Sequence, residues 1–102
     1  MAVELELTSR QRRYLRGLAH HLRPIVQIGQ AGITEPVLAA IDEALNDHEL
    51  IKVKLAEAES KKEDAESIAS ACTASVCGLI GHTAILYRRH PENPKVNVNP
   101  SR

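Results

Sequence analysis

The sequence predicts a compact α/β domain of αβαβαββ order, a mixed four-stranded sheet packed with three helices. Helix-start signatures at Thr8 to Gln11 and Ser60 to Glu63 point to this class, as does the apolar/polar alternation from Leu50 to Leu55. Two apolar runs, Cys77 to Ile80 and Thr83 to Arg88, are parted only by Gly81-His82, a loop suited to a tight hairpin. At 102 residues the chain fits one domain with one core.

Thr8 as N-cap with Gln11 reaching back predicts a first helix from Ser9 to about His21. Tyr14, Leu15, Leu18, Ala19 and Leu22 form its apolar stripe, and Arg12, Arg13 and Arg16 occupy the other faces. Pro24 ends it and favours an extended Arg23. Ile25 to Ile28 reads as a strand whose unbroken apolar character predicts burial on both faces. Thr34 then caps a second helix with Pro36 in its first turn and Val37, Leu38, Ile41 and Leu45 toward the core.

His48 and Glu49 mark the exit to the next strand. There Ile51, Val53 and Leu55 face the core, and Lys52 and Lys54 face water. Ser60 and Glu63 predict a second reciprocal cap, opening a third helix with Ala65, Ile68, Ala69 and Cys72 on its inner side. The Pro- and Asn-bearing tail, residues 90–102, reads as mostly irregular, with a short edge strand near residues 95–98.

Composition narrows the function. The chain has no Phe or Trp and only Tyr14 and Tyr87 as aromatics, too few for a module that stacks several bases. Its start lacks the basic and apolar run of a secretory signal, and no apolar run is long enough to span a membrane, so a cytoplasmic, soluble protein is expected. Cys72 and Cys77 have no second Cys pair to complete a metal site and read as reduced core thiols. His20 and His21, being adjacent, point to different helix faces and do not make a metal pair. No Ser/His/Asp set, paired-carboxylate motif or nucleotide fingerprint stands in a catalytic context, so neither an enzyme nor a cofactor or small-molecule substrate is expected.

The net charge is zero but segregated. Arg10, Arg12, Arg13, Arg16 and Arg23 crowd the first third, whereas Glu35 to Leu50 holds five acidic residues and no Lys or Arg. A local positive field of this kind suits a polyanion.

Gly29-Gln30-Ala31-Gly32 is a G-x-x-G turn leading into the Thr34 cap. Backbone N–H groups at such a helix start attract anions, worth about 0.3 to 1 kcal/mol from the dipole. On spacing alone, the two glycines fit an ordinary turn as well.

The segments Leu15-Arg16-Gly17-Leu18-Ala19-His20, Pro24 to Gly29, Gly32-Ile33-Thr34, His48 to Lys54 and Ile80 to Arg88 together resemble the YhbY family, bacterial single-domain forms of the CRM (chloroplast RNA splicing and ribosome maturation) domain. The resemblance runs from about Leu7 to Arg89, giving an expected domain of residues 7–89. It implies an RNA-binding fold similar to the C-terminal domain of translation initiation factor 3, and a role with ribosomal RNA in precursors of the large subunit. The family's G-x-x-G loop, comparable to that of KH domains, carries over to Gly29, Gln30, Ala31 and Gly32, and its basic surface to the first-helix arginines and to Lys52 and Lys54.

The resulting expectation is a monomeric RNA-binding protein. Gly29 to Gly32 and Thr34 hold phosphate, Arg12, Arg13, Arg16 and Arg23 engage the flanking backbone, and Lys52, Lys54, Arg88 and Arg89 widen the footprint. The competing reading is a ribosome-associated module that docks a basic ribosomal protein on the acidic second helix through Asp42, Glu43 and Asp47.

Overall fold

The computed structural model describes residues 7–56 and 60–96, and the elements within them follow the expected order. They are α1 (Ser9–Ala19), β1 (Pro24–Gln27), α2 (Glu35–His48), β2 (Leu50–Lys54), α3 (Lys61–Ala71), β3 (Ser75–Ile80) and β4 (Thr83–Tyr87). The sheet order is β1-β2-β4-β3, with β1 parallel to β2 and the other neighbours antiparallel. Parallel neighbours need a crossover, which α2 supplies. The β3–β4 hairpin turns at Gly81, whose φ of +59° favours glycine.

Alternation along the strands divides the core between two faces of the sheet. On one face Ile51, Val53, Ala84 and Leu86 meet Ile41 and Leu45 of α2 and Ala65, Ile68 and Ala69 of α3. On the other, Leu50, Cys77, Ile85 and Tyr87 meet Leu15 and Ala19 of α1. Three layers result, α1 on one side of the sheet and α2 with α3 on the other.

Both predicted caps of the first two helices form. Gln11 N donates to Thr8 Oγ1 at 3.0 Å, and Thr8 N donates to Gln11 Oε1 at 2.9 Å. Val37 N donates to Thr34 Oγ1 at 3.3 Å. The cap expected at α3 does not form. The Ser60 backbone is not extended and its hydroxyl is turned to Asp64 Oδ2, so the reciprocal bond with Glu63 has no geometry to use.

Three further expectations are corrected. First, β1 is the outer strand of the sheet, not one buried on both faces. Pro24, Ile25 and Gln27 are exposed, Ile25 at 48%, and burial returns only at Ile28. Its apolar run reflects a half-covered edge beside the end of α1. Second, the lysine face of β2 is wet only at its far end, because α1 covers Leu50 and Lys52 Nζ donates to Leu22 O at 3.0 Å.

Third, residues 90–96 are irregular as expected, but Lys95 and Val96 form no strand, and Val98 lies outside the described residues. Glu49 marks the exit of α2 as expected, with a φ of 66° that turns the chain, and it is also a buried anchor, 1% exposed. Its carboxylate accepts N–H bonds from His90, Lys95 and Val96.

Candidate nucleic-acid interface

The turn after β1 is closed by Gly32 N donating to Gly29 O at 3.0 Å, and Gly32 has a φ of +81° that turns the chain toward Thr34. Thr34 is extended and spends its hydroxyl on Val37 N, while its carbonyl accepts Leu38 N, so the first turn of α2 is fixed. Among the described residues, the amides of Gln30, Ala31, Ile33, Thr34 and Glu35 have no protein acceptor. Of α2's own first N–H groups only that of Glu35 is free, since Pro36 has none and Val37 and Leu38 are bonded; the other free amides belong to the turn and the cap that precede it. A Cβ added to either glycine would meet nothing within 4 Å, but Gly29 differs from Gly32 in that its φ is not positive.

Sheet register decides which predicted cations share this end. Lys54 pairs with Gln27, and Ile28 N donates to Lys54 O at 2.8 Å, so the exposed Lys54 stands beside the turn. The Gly81-His82 hairpin joins the same end, because Leu55 N donates to His82 O. Arg23 stands before the opposite end of β1, six residues from Gly29, roughly 20 Å at about 3.3 Å per extended residue. Arg12 and Arg13 are exposed on α1. Among the described residues, the side chains of Arg12, Arg13, Arg23 and Lys54 have no hydrogen-bond or ion-pair partner.

Arg89 is exposed beyond β4, whereas the remaining three expected cations, Arg16, Lys52 and Arg88, are committed to the fold. Arg16 is half-buried and donates from Nη1 to Cys77 O at 2.9 Å, reaching the register shift between Val76 and Gly78 in β3. Lys52 is held at Leu22 O. Arg88 is on the α2 side of the sheet: its guanidinium pairs with Asp42 Oδ1 and donates to Asp42 O, Asn46 Oδ1 and Cys72 O at 2.9 Å each. That arrangement overturns a place for Arg88 in a phosphate footprint. No periodicity could have revealed it, because an arginine following a strand looks the same whether it is solvated or clasped.

The cysteines are free and buried on opposite faces of the sheet. Burial pushes the Cys77 thiol up to about 11 and raises that of Cys72 as well, which disfavours the thiolate that would bind a metal. Among the described residues, no three His, Cys, Asp or Glu side chains converge as metal ligands, and no helix is long and apolar enough to cross a membrane.

The family model for the CRS1 / YhbY (CRM) domain matches residues 7–88. A Haemophilus influenzae protein named "RNA-binding protein" is 48% identical over 88 residues, covering 84% of this chain and 89% of its own. The Bacillus subtilis "Probable RNA-binding protein YqeI" is 37% identical over 94 residues, covering 90% and 98%. In three dimensions the chain is similar to the solution structure of SAV1595 from Staphylococcus aureus, with a TM-score of 0.79 and 40% identity over 90% of this chain and 98% of that one. Sequence and architecture thus agree across the described domain, and the chain belongs to the CRS1 / YhbY (CRM) domain family.

Proposed function

We propose that this protein binds RNA, and specifically ribosomal RNA in precursors of the large subunit, as an assembly factor in the cytoplasm and not as an enzyme. The observation that carries the reading is the set of unpartnered amides of Gln30, Ala31, Ile33, Thr34 and Glu35, at a turn where Gly29 lacks a side chain for no intramolecular reason. A phosphate oxygen approaching the backbone there would occupy the space that a Cβ would block. Lys54 supplies charge beside the turn, and Arg12, Arg13 and Arg23 are unpaired cations for flanking phosphates.

Two features hold the affinity to a moderate level. The turn itself brings no cation, since its central residues are Gln30 and Ala31, and the carboxylate of Glu35 sits at the helix start. Relatives named as RNA-binding proteins support the ligand class, and the YhbY resemblance supports the ribosomal setting. The acidic face of α2 is a weaker docking surface for a basic protein, because Arg88 already neutralises Asp42.

Salt dependence tests the mechanism. Four cations each neutralising one phosphate give a slope of log affinity against log salt of about −3 to −4, at about −0.7 to −0.9 per contact. Titration of a transcript of large-subunit precursor RNA across salt concentrations should return that slope, and a slope near zero refutes the phosphate mechanism. Crosslinking in cells tests the ribosomal assignment separately: precursor ribosomal RNA should dominate the recovered fragments, and a spread over unrelated transcripts contradicts it.

A further inference from the structure

Between the end of α1 and the start of β1 and β2 lies an open cavity of about 300 Å³. Leu18, Leu22, Ile25 and Leu50 wall it, and its polar lining residues are Arg23 and His48. Leu18, Leu22 and Ile25 are each more than a third exposed, so apolar surface is left open to water at the sheet edge opposite the Gly29–Gly32 turn along β1. Among the described residues, no carboxylate lines the cavity. The Arg23 side chain has no partner among the described residues, and Lys52 brings a second cation to the edge by donating to Leu22 O.

An apolar recess with Arg23 in its wall and the Lys52 ammonium held nearby at Leu22 O selects a ligand that is flat and greasy in one part and anionic in the adjoining part. We infer that the cavity receives one unpaired nucleobase of the bound RNA, with the adjoining phosphate on Arg23. The assignment rests on the RNA reading above and adds to it a place where a base, and not only the backbone, is held. Its volume stands at the lower end of the about 300 to 1,000 Å³ range of small-ligand sites, room for one ring system and little more. Guanidinium planes serve as stacking surfaces for unpaired bases in RNA recognition, and the cavity lining holds neither tyrosine, so the face of Arg23 is offered to the base and its N–H edge to the phosphate. The roughly 20 Å from Arg23 to Gly29 lets a single strand run along exposed β1, from base pocket to phosphate turn.

Methyl NMR of the full chain with adenosine 5′-monophosphate, and with ribose 5-phosphate as the base-free control, tests this directly. The nucleotide is expected to shift the Leu18, Leu22, Ile25 and Leu50 methyl signals at millimolar concentration, and the sugar phosphate to leave them in place. Equal shifts with both, or none with either, overturn the pocket. So do shifts reproduced by raising the protein concentration alone, which would assign the cavity to contact between copies.

Ile25→Ser and Leu18→Ser, both at exposed positions, should each weaken binding to oligoadenylate about fivefold or more while leaving an RNA duplex of equal length unaffected. Equal loss on both RNAs also overturns it. Failure of both RNAs to bind the unaltered protein counts against RNA binding itself, and the nucleotide titration still decides the pocket.

Discussion

The side chain of Arg16 lies against the backbone at Gly78: a Cβ added there would stand 2.5 Å from Arg16 Cδ and 3.0 Å from Cγ. The guanidinium beyond is tethered to Cys77 O, so the stem cannot simply swing aside. Gly78→Ala should therefore destabilise the fold by about 1 to 3 kcal/mol, the usual range for overpacking. Arg16→Ala, which removes the obstruction, should relieve most of that loss in the double variant. Urea unfolding of the two single variants and the double variant measures the coupling, and additive losses would disprove the contact.

Arginines that look alike in the sequence separate into two groups. Arg88→Ala removes a guanidinium bonded to Asp42, Asn46 and Cys72 O, and should cost about 1.5 to 3 kcal/mol of stability, as expected for hydrogen bonds to a charged group. Its effect on RNA affinity should be small once the protein is kept folded. Replacing both Arg12 and Arg13 with Glu should do the reverse, leaving the urea midpoint nearly unchanged and reducing RNA binding more than tenfold. Parallel unfolding and filter-binding measurements check both halves.

Glu49 gives stability a defined pH dependence. Burial pushes its carboxyl up, but the backbone N–H bonds from His90, Lys95 and Val96, with the nearby His90 ring, outweigh burial and hold it below 4.5. A carboxyl depressed in the folded state contributes stability that is present above about pH 4.5 and lost as pH falls through the folded value. Glu49→Gln should cost about 1.5 to 3 kcal/mol at neutral pH, since charged hydrogen bonds are lost. It should also flatten the acid limb of stability against pH in urea titrations. On the alkaline side, burial pushes Tyr87 up to about 12, with the charge of Glu49 adding to the effect, so its contribution is present below about pH 10 and fades as pH rises toward 12.

The features legible in the sequence were those carried by neighbouring residues. The Thr8 and Thr34 caps, the inward Ile51 and Val53 of β2 and the Gly81 hairpin are set by spacings of one to four residues, and each forms. The Gly29–Gly32 turn belongs to the same class.

What local pattern could not show was the layer against which each element lies. An apolar tetrapeptide at a sheet edge has the same composition as one in the middle, so β1 looked buried on both faces. The roles of Arg16, Arg88 and Glu49 depend on partners 61, 46 and 47 positions away, at Cys77, Asp42 and Val96. In each case a charged side chain satisfies a backbone group remote in sequence, which local spacing does not encode.

Gly29 and Gly32 stand three residues apart but should respond oppositely to alanine. At Gly32 the φ of +81° strains any side chain, so Gly32→Ala should destabilise the fold by about 1 to 2 kcal/mol. At Gly29 the backbone is unstrained and the space around a new Cβ is open, so Gly29→Ala should be neutral or slightly stabilising by restricting the unfolded chain. If a phosphate oxygen approaches that backbone, the added methyl blocks it and RNA affinity falls several-fold without loss of stability. Glu35→Gln at the same helix start removes a carboxylate that competes for the amides, and should raise affinity by up to about fivefold, the equivalent of about 0.3 to 1 kcal/mol. Binding titrations and urea midpoints measured together test the site: unchanged affinity in Gly29→Ala would show that phosphate does not sit on this turn.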